Sequence, residues 1–204
     1  LDPDNADLIF YRANAKGNIA DYRGAIADYN KATSLNPRNA EAYLYRANAE
    51  SNLKDYDAAI GDFKKAIAIN PKLPNAYKYL ASALSKTGDK NAAGFFSDAI
   101  KRNPDNAEIY IYDGILKSNM NDKAAALADF NRSIALNPKN TDAYQNRADL
   151  KLDMKDYAAA KSDADSAILA DSSNSYAYIS RARINVALKD SAAALKDIDK
   201  AISL

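Results

Sequence analysis

The 204-residue sequence contains neither cysteine nor histidine. This double absence removes disulfides, thiolate nucleophiles, imidazole bases and the two commonest zinc ligands, and with them most familiar catalytic constellations. A chain without thiols is indifferent to redox poise, so cytosolic, periplasmic and secreted settings suit it equally. Charge of one sign is also lacking. Twenty-eight Lys and Arg oppose 27 Asp and Glu, which leaves no net field to draw nucleic acid or an anionic membrane surface. No run approaches the roughly 18 apolar residues of a membrane span, so a soluble chain without membrane insertion is expected. Leu1 to Asn5 resemble neither a signal peptide nor an initiator region. The segment is therefore expected to begin inside a longer polypeptide, with no targeting segment of its own.

With 48% hydrophobic and 27% charged residues, the chain can bury a core. Its strongest internal signal is self-similarity. Asp recurs at Asp21, Asp55, Asp89, Asp122, Asp156 and Asp190, at intervals of 34, 34, 33, 34 and 34 residues. Small residues keep the same spacing at Ala13, Ala47, Ala81, Gly114, Ala148 and Ala182, and again at Ala32, Ala66, Ala99, Ser133, Ala167 and Ala201. Within a period the apolar residues follow helical spacing, so each unit reads as two helices. The repeated Asp caps the second helix. Asn36-Pro37, Asn70-Pro71, Asn103-Pro104 and Asn137-Pro138 end it, because a residue preceding Pro avoids the α region. Asn39, Asn106, Asn140 and Asn174 are N-cap types for the first helix.

This pattern resembles the tetratricopeptide repeat, with an aromatic at position 4, a small residue at 8, an aromatic at 17, Ala at 20, an aromatic at 24, Ala at 27 and Pro at 32. Tyr43, Ala47, Tyr56, Ala59, Phe63, Ala66 and Pro71 fill these positions in the second unit. Six units start near Ala6, Ala40, Pro74, Ala107, Thr141 and Ser175, the last one incomplete, and residues 1–5 read as the tail of a preceding unit. The resemblance implies an all-α fold, a right-handed α-solenoid of helix-turn-helix units forming one domain over residues 6–204. The third unit is one residue short between Asp89 and Ala99 and lacks the aromatic at position 17; the fifth has Ser172 in place of Pro, and the first has Ile9 at position 4.

In such a solenoid the first helices line the concave groove. Tyr43, Tyr77, Tyr110, Tyr144 and Tyr178 at position 4 are then expected in the core. Tyr11, Tyr45, Tyr79 and Tyr112 stand two residues later, about 200° around the helix. They either face the groove and contact a ligand or cover the adjacent repeat. Positions 2, 5 and 9 make the expected floor, including Phe10, Leu44 and Ile111. Its candidate ligand residues are Asn14, Asn48, Lys78, Gln145 and Arg183, joined by Asn146 at position 6, with side-chain amides suited to an extended backbone. The lysine and asparagine clamp with which family members grip a chaperone's terminal carboxylate is present only in fragments.

Position 7 carries Arg12, Arg46, Arg147 and Arg181, and position 23 of the same repeats carries Asp28, Asp62, Asp163 and Asp197. In the third repeat Leu80 and Phe95 replace both charges together, which points to a repeated structural ion pair. The fourth repeat breaks the pattern with Asp113 and Asp129. Four equivalent pairs without a nucleophile or cofactor motif argue against catalysis, and no metal site or cofactor is expected. Asp163-Ala164-Asp165 and Asp197-Ile198-Asp199 point their acids to different sides of a helix, unlike a calcium loop. The expected function is a protein-interaction scaffold, not an enzyme, that binds a protein or peptide segment in its groove. The alternatives are a spacer that stacks end to end through uncapped termini, above all through Leu195, Ile198 and Ile202, and a substrate-recruiting region of a larger enzyme.

Overall fold

The computed structural model describes residues 4–73, 75–88 and 92–204. All regular structure among them is helical, in twelve helices, and the chain divides into two compact units, Leu1–Ala92 and Ala93–Leu204. The first unit contains α1 (Ala6–Asn18), α2 (Tyr22–Leu35), α3 (Ala40–Asn52), α4 (Tyr56–Ile69) and α5 (Ala76–Thr87). Helix α6 (Ala92–Arg102) begins at the boundary; α7 (Ala107–Asn119), α8 (Lys123–Leu136), α9 (Thr141–Asp153), α10 (Tyr157–Ala170), α11 (Ser175–Ala187) and α12 (Ser191–Ser203) follow. Within each unit the packing is that of an α-solenoid. Helix α3 packs on α4 of its own repeat and on α2 of the repeat before, as α11 packs on α12 and α10.

The caps explain where helices start. The carboxylates of Asp21, Asp55, Asp122, Asp156 and Asp190 each accept from the N–H three residues on, at 3.0 to 3.3 Å, each worth about 1 kcal/mol. Asn5, Asn39, Asn106, Asn140 and Asn174 cap first helices in the same way. Pro74, Asp89 and Lys90, where the third repeat departs from the pattern, lie outside the described residues. Second helices end on the extended residues Asn36, Asn70 and Asn137 before Pro; Asp171 ends α10 in the same conformation without one. Its carboxylate accepts from Ser173 N at 2.9 Å, as Asn36, Asn70 and Asn137 accept from the N–H two residues on, and it adds a bond from Ser173 Oγ at 2.6 Å.

The core is built from small residues at position 8 opposed by large ones at position 24. Phe63, Phe96 and Phe130 are fully buried. At Gly114 the fit is too close for a side chain, since a Cβ there would stand 2.7 Å from the Phe130 ring. Tyr43, Tyr77, Tyr110 and Tyr178 are buried as expected for position 4, but Tyr144 is only half-buried. Across from it α10 supplies Ser166 and Ala170, where α4 supplies Lys65 and Ile69. The small pair leaves a cavity of about 390 Å³ beside the Tyr144 ring.

Candidate functional site

Two constellations gather the polar residues: a charged cluster between the helices of most repeats, and a tyrosine and amide face on the first helices. The charged cluster is a geometric consequence of helical phase. Position 7 of a first helix and position 23 of its second helix meet across the hairpin. Arg12 donates through Nε and Nη2 to Asp28 at 2.7 and 2.6 Å. Arg147 forks onto Asp163 at 2.8 and 2.6 Å, and Arg181 onto Asp197 at 2.9 and 2.5 Å. Arg46 grips Asp62 through the same two nitrogens. Such planar bidentate bonds are the strong form of a charge-assisted pair.

Position 11, which sequence reasoning passed over, completes the cluster. Lys16 reaches Asp28 at 2.8 Å, Lys151 reaches Asp163 at 2.7 Å, and Asn185 Nδ2 donates to Asp197 at 2.9 Å. In the fourth repeat Lys117 lies between the two acids that replace the usual pair, 2.8 Å from Asp113 and 2.6 Å from Asp129. The signal was available: positions 7 and 11 are four apart on one helix and share its face. In the second repeat Glu50 takes this position, 3.9 Å from Arg46.

Burial dominates the acidities. It pushes Glu50 up to about 7, with nearby Asp62 adding to the rise and Arg46 opposing it. Asp113 and Asp129 are also raised by burial, while hydrogen bonds from Lys117 pull them back only in part. Asp28 goes the other way, held below the usual carboxylate range by the Arg12 hydrogen bond. The arginines also cross between repeats. Arg46 Nη1 donates back to Asn30 at 2.7 Å and Thr33 at 3.1 Å, Arg147 Nη1 to Asn131 at 2.5 Å, and Arg181 Nη1 to Asp165 at 2.8 Å.

On the first-helix face of the first unit, Tyr11, Tyr45 and Tyr79 are all exposed. Tyr45 leans on Phe10 at 6.0 Å between ring centroids, and Tyr79 stacks on Phe63 at 6.1 Å. A cavity of about 370 Å³ lies between α1, α2 and α3, lined among others by Asn14, Asn48, Asn52, Tyr22, Tyr29 and Tyr45, and no charged side chain among the described residues lines it. Tyr29 is buried, and its hydroxyl donates to Asn14 Oδ1 at 2.6 Å. That bond leaves the two Asn14 N–H donors for a ligand. Asn52 Nδ2 donates to the Asn48 carbonyl at 2.8 Å, which leaves its side-chain oxygen as an acceptor.

Other expected groove residues are placed differently. Tyr112 is only 9% exposed, so it belongs to the core of the second unit and cannot reach a ligand. Its helix buries Ile109 and Leu116 where α3 buries the smaller Ala42 and Ala49. Phe10, Leu44 and Ile111, the apolar residues at position 5 of the first, second and fourth repeats, are buried too; Phe10 clusters with Ile9, Ala25, Tyr29 and Ala42. Lys78 is exposed, Gln145 and Asn146 are half-buried, and Asn146 Nδ2 folds back onto the Asp142 carbonyl at 2.8 Å. Arg183 is exposed but donates to Asp149 at 2.9 Å, while Ser180 donates to the same carboxylate oxygen at 3.0 Å. Burial pushes the pKa of Asp149 up, and Arg183 and Ser180 offset part of that rise.

Family models for the tetratricopeptide repeat match residues 12–74 and 130–162. No curated protein matches the sequence. Among solved structures, yeast Tom70 is similar at 21% identity and a TM-score of 0.79, covering 98% of this chain and 43% of that one. The chain thus spans under half the length of the yeast protein. A tetratricopeptide repeat protein from Parabacteroides merdae is similar at 21% identity and a TM-score of 0.73, covering 99% of this chain and 79% of that one. YrrB, described as a tetratricopeptide repeat protein with an unusual peptide-binding site, follows at 22% identity and a TM-score of 0.54, covering 86% and 91%. At these identities the likeness is one of fold.

Proposed function

Because the chain is a tetratricopeptide repeat protein, we propose that it is an interaction scaffold whose first unit holds an extended peptide segment along the first-helix face. The observation that carries this reading is the ladder of exposed Tyr11, Tyr45 and Tyr79 beside the uncharged cavity at Asn14, Asn48 and Asn52. Tyrosine supplies rigid contact area with a polar tip, and amides pair with a main chain from both sides. The groups left free by internal bonds, Asn14 Nδ2 as donor and Asn52 Oδ1 as acceptor, match the alternating donors and acceptors of an extended backbone. The absence of charge in the lining favours a segment that is itself uncharged where it enters the cavity. YrrB, with a peptide-binding site by its description, shares the fold.

The test begins with a random peptide display library screened against the immobilised chain, followed by titration of a selected peptide in solution. Replacing Tyr11, Tyr45 and Tyr79 by Ala should weaken binding by about 2 kcal/mol or more, the scale of interface hot spots, with melting nearly unchanged. Replacing buried Tyr43 and Tyr77 instead should lower the melting temperature. A peptide whose affinity survives the first set of changes would sink the reading.

A further inference from the structure

The cavity beside Tyr144 belongs to the second unit, and other repeats show what fills its place. In the second repeat two cations meet the Tyr43 ring, the Arg46 guanidinium at 5.2 Å from the ring centroid and the Lys65 ammonium at 4.3 Å. In the fourth repeat Arg132, at the position of Lys65, stands 5.9 Å from the Tyr110 ring. The fifth repeat keeps the first kind of contact, with Arg147 at 5.7 Å from the Tyr144 ring, but places Ser166 where Lys65 and Arg132 stand. Serine is too short to lie over the ring. About 390 Å³ therefore stays open between Pro138, Lys139, Tyr144, Ser166, Leu169 and Ala170. Tyr144 is half-buried as a result, where Tyr43 is 3% and Tyr110 9% exposed.

The chemistry of the occupant follows from the same comparison. A tyrosine face attracts a cation through the ring quadrupole. Lys139 at the edge does not bar one, since Arg38 holds the same position in the turn before Tyr43, where Lys65 nevertheless lies over the ring. Of the two cations seen over such rings the ammonium comes closer, 4.3 Å against 5.9 Å. Ala170 stands where Ile69 does in the second repeat, which makes room for an aliphatic stem behind the charge. A lysine stem buries itself along apolar surface of this kind while its head stays polar. At the rim Leu169 is 89% exposed, at a position that holds Ser34, Ala68, Ala135 and Ser203 in other repeats. That leucine gives the surface around an inserted side chain something apolar to cover, which favours a lysine carried by a protein over a free amine.

We propose that this cavity receives a lysine side chain of a partner protein, its ammonium standing over the Tyr144 ring as Lys65 stands over Tyr43. The fifth repeat thus opens to a second molecule a contact that the second and fourth repeats make within themselves. The site is built from α9, α10 and the turn before α9. It uses none of Tyr11, Tyr45 and Tyr79, so it stands independently of peptide binding by the first unit.

The 204-residue chain is titrated with Nα-acetyl-lysine N-methylamide, and with the same compound acetylated on Nε, while nuclear magnetic resonance follows the Tyr144 ring and the Leu169 methyl groups. The lysine probe should give saturable shifts at both residues. Nε-acetylation removes the charge and should weaken binding about two- to fivefold, the scale of an exposed cation–π contact. Ser166→Lys with Ala170→Ile rebuilds the arrangement of the second repeat from within and should abolish the response. The reverse exchange, Lys65→Ser with Ile69→Ala, should make the Tyr43 ring respond to the lysine probe. Shifts that never saturate, an equal response to the two probes, or binding that persists in the Ser166→Lys, Ala170→Ile variant each overturn the proposal.

Discussion

The second and fourth repeats carry the same charges in a different order. Positions 7, 11 and 23 are Arg46, Glu50 and Asp62 in one and Asp113, Lys117 and Asp129 in the other. Both clusters hold one base and two acids, yet they act differently. The Arg46 guanidinium forks onto Asp62 and still has a nitrogen left to reach Asn30 and Thr33 of the first repeat. The Lys117 ammonium is a point charge, and its bonds go to Asp113 and Asp129 within its own repeat. The difference lies in donor geometry and not in net charge: a planar fork can staple two repeats together, while an ammonium neutralises one. Both clusters also keep a surplus acid with a buried oxygen that lacks a hydrogen bond, Glu50 Oε2 and Asp113 Oδ1.

The largest expected effect comes from removing the neutralising charge. Lys117→Met would leave two buried carboxylates facing each other, and breaking a buried pair costs about 3–5 kcal/mol at neutral pH. In urea denaturation the loss should shrink on acidification, as Asp113 and Asp129 take up protons. An equal loss at both pH values would mean that Lys117 serves only as packing.

Glu50 gives the next effect, and its sign follows from the direction of its shift. Its folded value of about 7 lies above the unfolded value of 4.5. Its contribution to stability is therefore full below the unfolded value and is lost as pH rises through the folded one. Glu50→Gln should flatten the stability profile between about pH 5 and 8 and stabilise the protein at the alkaline end by about 3 kcal/mol or less. A profile identical to that of the unaltered chain would remove Glu50 as the surplus acid of the second repeat. A smaller change tests the staple itself. Arg46→Lys keeps the charge opposite Asp62 but gives up the bond to Asn30, at a cost of about 1 kcal/mol in chemical denaturation. The comparison with Lys117 would lose its basis if that substitution were neutral.

Much of this architecture was legible because each repeat restates the same local rule. The Asp and Asn caps stand in the sequence at fixed intervals, and a cap needs only its own helix to act. The spacing of Arg46 and Asp62 was legible for a related reason: both charges vanish together at Leu80 and Phe95. The roles of Glu50, Lys117 and Lys151 were harder to see, because Lys and Glu on a helix ordinarily lie on a solvated face and their spacing alone does not bury them. Tyr112 misled for the opposite reason. A tyrosine at the position of Tyr45 promised the same exposure, but on α7 it is buried, with Ile109 and Leu116 where α3 has Ala42 and Ala49. Exposure of a shared position depends on the neighbours each repeat happens to supply.

The smallest effect compares the same two repeats at their helix turns. The residue at position 15 is left-handed in both, Lys54 with φ 65° and Asn121 with φ 63°, and only the third repeat uses glycine there, Gly88 with φ 66°. The turn demands this backbone: the N–H of Asp55 reaches back to the Glu50 carbonyl at 3.0 Å and that of Asp122 to the Lys117 carbonyl at 2.9 Å, closing the helix. A lysine pays the full Cβ penalty of about 1 kcal/mol, whereas asparagine tolerates the region better. Lys54→Gly should therefore raise the melting temperature by about 2–4 °C, and Asn121→Gly by less. A lower melting temperature in Lys54→Gly would mean that the extra freedom of glycine in the unfolded chain outweighs the relief of strain.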